Sequence, residues 1–177
     1  PPVFNPYHHL FFSNGYVYAP PPEVPLTPIS PPRLAVFFSN ITDEPTSSPN
    51  AAGSLPGEIG AGPRSSTDAF WFDAFGAYLS CDNDGPSDCE FVINGYIWDP
   101  VAQQQMLATT QNAIVSPCIN DQCPLQHVGF SSAFRGLSGI QLQAFVDDEP
   151  VVWFMDDLMG AWWNNTCAAG LLRQRSK

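Results

Sequence analysis

Basic residues are scarce in this 177-residue sequence, which has six Lys and Arg against 17 Asp and Glu and therefore a formal net charge of −11. An excess of negative charge repels phosphate backbones and anionic lipid surfaces. Nucleic acids and membranes are therefore not expected as partners. Charged residues make up only 13% of the chain, so uncharged polar side chains must supply much of its solubility.

Long apolar runs and common catalytic motifs are also missing. No stretch of about 20 apolar residues predicts a transmembrane helix. No leader sequence is visible, and Pro1-Pro2 is interpreted as a mature end left after a leader is removed. The sequence has no Gly-x-Ser-x-Gly elbow, no P-loop and no dinucleotide-binding glycine pattern. We therefore assign no catalytic residues and favour a protein that is not an enzyme.

Five cysteines indicate an oxidising, extracellular compartment. Cys81 and Cys89 flank a polar, turn-like loop, and Cys118 and Cys123 flank another. These spacings predict disulfides 81–89 and 118–123, which leave Cys167 free, buried or bound to another chain. No CxxC or HxxxH spacing supports zinc as the alternative.

Two sequons fit a secreted chain with few charges. They are Asn40-Ile41-Thr42 and Asn164-Asn165-Thr166. Attached sugar would add solubility, so Asn40 and Asn164 are predicted glycosylation sites.

Short apolar segments between Pro-rich and Gly-rich stretches predict an all-β fold. Strands are expected at residues 10–18, 34–38, 69–79, 90–98, 126–130, 140–146 and 151–158, while residues 101–114 fit either a strand or a helix. Without a long amphipathic helix, the pattern favours an antiparallel β-sandwich, a jelly roll with long Pro/Gly-rich loops.

The length and the hydrophobic content of 44% predict one domain over residues 1–177. Residues 39–66 are predicted to form a long loop and residues 168–177 a flexible tail. The strands on either side of the 81–89 disulfide are expected to form a hairpin. The strand at 151–158 is expected to pair with the one at 140–146 across the turn at 147–150.

Several segments, taken in order, resemble a known group of proteins. The segments are Tyr7-His8-His9-Leu10, Ser30-Pro31-Pro32, residues 70–79, residues 89–96, Phe134-Arg135-Gly136-Leu137 and residues 154–158. Together they look like uncharacterised fungal secreted proteins, which in turn resemble carbohydrate-binding-module-like jelly rolls. The likeness covers nearly the whole chain, and its motifs are mostly structural. It implies a secreted sandwich and a role in recognising sugars.

Asp156 and Asp157 end the most apolar strand-like run of the chain. Neighbours on a strand point to opposite faces, so the two carboxylates should diverge unless a bulge intervenes. One is expected to point inward with Phe154 and the other outward with Trp153. An inward carboxylate needs hydrogen bonds, an ion pair or a metal. Three interpretations stay open: a structural calcium site, a hydrogen-bond anchor for the N-terminal segment, and catalysis. Possible co-ligands of a calcium ion are Asn5, Asp43 and Glu44.

Five aromatic residues are candidate platforms for the C–H faces of sugars: Tyr16, Tyr18, Trp98, Trp162 and Trp163. Aromatic rings also dominate protein cores. The adjacent pair Trp162-Trp163 is the strongest candidate for a partner-binding patch. The adjacent His8 and His9 are a weaker candidate, because neighbours on an extended segment diverge and no third metal ligand is visible.

Three functions follow from these patterns. The first is non-catalytic recognition of carbohydrate or another extracellular surface. The second is a structural, self-assembling extracellular protein that forms homo-oligomers through Cys167 or Trp162-Trp163. The third is a glycan-active enzyme in which Asp73 or Asp99 faces Asp156 or Asp157 across a cleft.

Overall fold

Two antiparallel β-sheets face each other across an apolar core. A computed structural model of the protein describes residues 3–19, 26–39, 55–119 and 123–176. Within these ranges the strands are β1 Phe11–Phe12, β2 Tyr16–Ala19, β3 Leu34–Phe37, β4 Glu58–Gly60, β5 Phe72–Cys81, β6 Cys89–Asp99, β7 Gln104–Val115, β8 Gln126–Gly129, β9 Gly139–Val146, β10 Glu149–Pro150 and β11 Trp153–Trp162. Short 3-10 helices span Gly62–Arg64 and Asp68–Phe70, and the α-helix α1 spans Cys167–Arg175.

The first sheet has the strand order β1-β4-β9-β6-β7, with β10 also paired to β9, and the second has the order β2-β3-β11-β5-β8. All pairings between these strands are antiparallel. The predicted all-β antiparallel sandwich is therefore confirmed. Most of the segment 101–114, which fitted either a helix or a strand, lies in β7. None of the helices in the described ranges is long and apolar enough to cross a membrane.

The chain crosses between the sheets more often than the sequence predicts. β5 ends at Cys81 in the second sheet and β6 begins at Cys89 in the first, so the predicted disulfide is confirmed but the predicted hairpin is wrong. β11 does not pair with β9 either, because β10 folds back on β9 before the chain crosses to the second sheet. Apolar periodicity identifies strands and their faces, but it carries no information about which strands pair.

The second predicted disulfide, Cys118–Cys123, is also present, and Cys167 is free and exposed. Part of the predicted long loop at 39–66 is structured. Residues 58–60 form β4, which pairs with β1 and β9. Residues 40–54, including the sequon at Asn40, lie outside the described residues.

Trp153 lies at the centre of the core. It is fully buried, and its ring lies 5.4–5.7 Å from those of Tyr16, Phe37 and Phe91. Phe154 is also buried, in a second apolar cluster, so the expectation that Trp153 points outward is wrong.

Tyr16 is a core residue and not a surface platform. It is only 3% exposed, and its hydroxyl donates to the carbonyl of Gly57 at 2.8 Å. Burial, with Glu58 nearby, raises the pKa of Tyr16 well above its ordinary value. Its predicted role in ligand binding is therefore wrong, because its ring is covered by neighbouring side chains.

The predicted flexible tail forms the helix α1 instead. The Thr166 side chain caps its first turn by accepting from the N–H of Ala169, an arrangement typical of helix N-termini. Arg173 is buried, donates to the backbone carbonyls of Ala69 and Asn164, and lies over the Trp162 ring at 4.8 Å. A basic residue that looks solvated in the sequence thus attaches the helix to the sandwich.

Candidate ligand-binding cleft

A cleft of about 730 Å³ opens where the interior of the sandwich reaches the surface. Tyr18, Ala35 and Met155 line it and also pack against the main core, so the cleft continues the space between the sheets. Its other walls come from residues 3–12, 30–34 and 156–158. Three of the segments on which the family resemblance rests therefore meet in one place.

Ser30 connects two of these walls. Its backbone N–H donates to Oδ2 of Asp156 at 2.8 Å, and its hydroxyl donates to Oδ2 of Asp157 at 2.9 Å. Both carboxylates therefore hold the residue 30 segment against the middle of β11. This arrangement fits the interpretation of the acid pair as a hydrogen-bond anchor for an N-terminal segment.

An irregularity in β11 brings the two carboxylates together. The pairing of β11 with β5 shifts register between Asp156 and Met159, and Asp157 adopts a left-handed backbone with φ of 47°. The N–H of Asp157 donates to Oδ1 of Asp156 at 2.9 Å, which fixes the orientation of the Asp156 carboxylate. The expectation that the two acids diverge was therefore wrong, because the bulge that the sequence left open as an exception is present.

The described residues provide no further side-chain ligands for a calcium ion at Asp156 and Asp157. Among the described residues, no group of three or more His, Cys, Asp or Glu side chains gathers as a metal site would require. Asn5, one suggested co-ligand, forms two hydrogen bonds with the backbone of Phe12 at 2.7 and 2.8 Å. The other two, Asp43 and Glu44, lie outside the described residues. A calcium ion at Asp156 and Asp157 stays a prediction.

Aromatic rings and a cation also line the cleft. Tyr7 is 46% exposed, and its ring lies 6.3 Å from that of Tyr18. The Arg33 guanidinium lies 5.7 Å from the centre of the Tyr18 ring. Burial and the nearby Tyr7 raise the pKa of Tyr18, although Arg33 opposes this shift. Tyr18 therefore keeps its proton at neutral pH and can donate a hydrogen bond.

The two adjacent histidines lie on a turn and not on the extended segment that the sequence predicted. Both have left-handed backbones, in a turn closed by paired hydrogen bonds between Tyr7 and Leu10. His8 lines the cleft, whereas the His9 ring lies 6.0 Å from the ring of Trp162. Their rings therefore have different nearest aromatic and cavity neighbours.

A smaller cavity of about 210 Å³, called here the apolar lobe, adjoins the cleft. His8, Leu10 and Leu158 line both spaces. The remaining walls of the lobe come from β5 and the end of β11, including Phe72, Met159 and the predicted platform Trp162. The two cavities therefore adjoin at these three residues, and together they are called the groove.

The other predicted site residues lie elsewhere. Trp98 is half-buried near the end of β6 and lines neither cavity. Trp163 is 53% exposed, and its ring lies beside Gly136. The Asn164 side chain donates to Asp68 at 3.0 Å, and its glycosylation stays a prediction.

Two residues that line the cleft, Tyr7 and Arg33, are not among the binding residues predicted from the sequence. Tyr7 enters the sequence pattern only as part of the segment before His8. Two sequence features could have identified them. Arg33 is one of few basic residues and directly follows Pro31-Pro32, and residue 7 is aromatic.

Comparison with known proteins places the chain in a family. The family model described as "Domain of unknown function (DUF7371)" matches residues 1–173. Among solved structures, the chain is similar to a DUF4465 family protein from Bacteroides caccae, with 7% sequence identity and a TM-score of 0.49 over 84% of this chain and 73% of that one. No curated protein sequence matches the chain significantly. The predicted likeness to uncharacterised proteins is thus confirmed, while fungal origin and a likeness to carbohydrate-binding modules stay predictions. The chain belongs to the DUF7371 family.

Proposed function

We propose that this protein is a secreted, non-catalytic domain that recognises carbohydrate in the cleft. The observation that carries this proposal is the convergence, in one concave space, of aromatic rings with charged hydrogen-bonding groups: Tyr7, Tyr18, His8, Arg33, Asp156 and Asp157. A volume of about 730 Å³ lies in the range typical of small-molecule sites.

The chemistry of the cleft suits a sugar. A pyranose has an apolar C–H face, which packs on a flat ring, and a rim of hydroxyl groups, which need donors and acceptors. Tyr7 and Tyr18 offer such rings, while Asp156 and Asp157 offer carboxylate oxygens that accept from hydroxyls. Arg33 and His8 can donate to hydroxyl oxygens on the other side.

The carboxylates are already positioned before a ligand arrives. Ser30 and the N–H of Asp157 fix their oxygens, so a ligand need not order these side chains. Preorganisation of this kind improves affinity because less conformational entropy is lost on binding.

Location outside the cell is supported by the disulfides. The bonds Cys81–Cys89 and Cys118–Cys123 are typical of oxidising compartments. Secretion would also expose the cleft to extracellular glycans, which agrees with the proposed role.

The test is a glycan array followed by calorimetric titration of the best binders. Tyr18→Ala should weaken binding at least about tenfold, because it removes a ring that carries both stacking and a hydrogen bond. Tyr78→Ala is the matched control, since Tyr78 is also half-buried at the margin of an apolar cluster but does not line the cleft. Equal loss in both variants, or no binding to any glycan, would remove the proposal.

Self-assembly is a second candidate, supported by one observation. Cys167 is free and exposed at the start of α1, near the exposed ring of Trp163 in sequence. An intermolecular disulfide there would give a covalent dimer. Non-reducing electrophoresis of the purified protein and of Cys167→Ser decides this, because only the former should show a dimer band that a reducing agent removes.

A glycan-active enzyme is less well supported. Asp73 accepts from the backbone N–H of Gly136, and Asp99 accepts from the backbone of residues 101 and 102. Neither lines the cleft, and the described lining contains no acid other than Asp156 and Asp157. The two-carboxylate mechanism needs acids on both sides of a glycosidic bond, so this arrangement favours binding over hydrolysis.

A further inference from the structure

The groove consists of two adjoining cavities of different chemistry, the cleft and the apolar lobe, which share His8, Leu10 and Leu158 in their linings. We infer that its ligand is an amphipathic glycoside. The sugar occupies the cleft, and an apolar aglycone about the size of one aromatic ring occupies the apolar lobe. This inference rests on the proposed carbohydrate recognition and specifies which class of carbohydrate the site takes.

The lining of the apolar lobe is poor in hydrogen-bonding side chains. In the described part of the chain it consists of Leu10, Phe72, Ala74, Leu158, Met159, Gly160, Ala161 and Trp162, with His8 at the junction. A second sugar unit placed there would lose hydrogen bonds between its hydroxyls and water and find few replacements. An apolar group would instead gain from leaving water. The lobe therefore favours an apolar substituent over a longer sugar chain.

The volume of the lobe sets the size of that substituent. An apolar cavity of about 150 Å³ accommodates benzene, and the lobe has about 210 Å³. One aromatic ring or a short branched alkyl group therefore fits, whereas a long acyl chain would extend into solvent. This comparison limits the ligand to glycosides with compact aglycones.

The wall opposite the junction is held in place. Trp162 has two neighbours, the Arg173 guanidinium at 4.8 Å from its ring centre and the His9 ring at 6.0 Å. Arg173 is itself fixed by backbone carbonyls of other segments. An aromatic aglycone entering from the cleft would therefore meet a tryptophan ring whose position is already set.

The test compares methyl and phenyl glycosides of glucose, galactose, mannose and N-acetylglucosamine by calorimetric titration. For the sugar that binds, the phenyl glycoside should bind at least about tenfold more tightly than the methyl glycoside, which is the scale that a small buried apolar group gives in a fitted pocket. Trp162→Ala should abolish this preference while leaving the affinity for the methyl glycoside within about twofold.

A second variant tests the lobe independently, in case Trp162→Ala fails to fold. Met159→Gln replaces a thioether by an amide of similar size in the lobe, at a residue that does not line the cleft. It should reduce the phenyl preference and leave the methyl glycoside unaffected, while Tyr78→Ala should change neither.

Each outcome separates the two proposals. If methyl glycosides bind and phenyl glycosides bind no more tightly, the amphipathic ligand is refuted and carbohydrate recognition stands. A phenyl preference that survives both lobe variants places the aglycone elsewhere and also refutes the inference. If no glycoside of either kind binds, the amphipathic ligand is refuted, and carbohydrate recognition fails as well only if no glycan on the array binds.

Discussion

Removing the Ser30 hydroxyl tests how the cleft is held together. Ser30→Ala deletes the donor to Oδ2 of Asp157, while the backbone N–H of residue 30 can still donate to Asp156. The variant therefore removes one of two contacts without disturbing the backbone of the segment. Because residues 30–34 form one wall of the cleft, loosening them should affect both stability and binding.

The size of the effect follows from the type of contact. A hydrogen bond to a charged group contributes about 1.5–3 kcal/mol when protected from water. Ser30 is exposed, so water competes for both partners, and we expect the free energy of unfolding to fall by about 0.5–1 kcal/mol. For a chain of this length the melting temperature should drop by about 1–4 °C. Glycan affinity should fall a few-fold, because the wall must be reordered on binding.

Ser87→Ala is the matched control. Ser87 also donates its hydroxyl to an aspartate, Asp147, at 3.0 Å in an exposed setting, and it does not line the cleft. Urea unfolding and calorimetric titration of both variants should show similar stability losses but reduced affinity only in Ser30→Ala. If Ser30→Ala matches the unmodified protein in both measurements, the anchor does not organise the cleft.

Three further predictions concern the framework. Tyr16→Phe should lower the free energy of unfolding by about 1–2 kcal/mol in urea, because the buried carbonyl of Gly57 loses its hydroxyl donor; an unchanged midpoint would contradict that contact. Gly57→Ala should be much more damaging, since Gly57 has φ of 76° and a Cβ there would collide with a backbone carbonyl oxygen; a soluble variant with unchanged melting temperature would contradict this close approach. Burial first, and then the positive charge of Arg64, lower the pKa of His9 below 6.5 in the folded protein. Protonation therefore favours the unfolded chain, and stability should fall as the pH drops below 6.5, less so in His9→Asn; identical pH profiles of melting temperature would contradict it.

The strands and the disulfides could be predicted from the sequence because their signals are local. Alternating apolar residues mark β9, and cysteines separated by a short polar loop mark both disulfides. The partners of each strand could not be predicted. The loop between Cys81 and Cys89 is compatible either with a hairpin or with a crossing between sheets, and only packing of the whole sandwich selects the crossing.

The candidate site was predicted in fragments. His8, Tyr18, Trp162 and the two aspartates were all singled out, but nothing local indicates that residues 8, 18 and 156 meet. The left-handed backbone at Asp157 is one that Asp tolerates better than most residues, yet tolerance alone does not predict it. Tyr16 and Tyr18 look equivalent in the sequence, although one lies in the core and the other lines the cleft.

The helix α1 was not predicted, because the residues that begin and end it were interpreted as a sequon and as a flexible tail. Thr166 was counted as part of a sequon, although the same residue type caps helices. The Arg-rich end looked like a solvated tail, but Arg173 finds buried carbonyls on distant segments. Such long-range partners carry no trace in a local sequence pattern.

Mapping the bound glycan by NMR tests carbohydrate recognition in the cleft most directly. Isotope-labelled protein would be titrated with the best glycan from the array, and backbone amide shifts recorded. We expect the largest changes at residues 30–35 and 155–158, which line the cleft. Changes confined to other surfaces, such as the exposed strand β7 or the ring of Trp163, or no changes with any glycan, would contradict the proposed function.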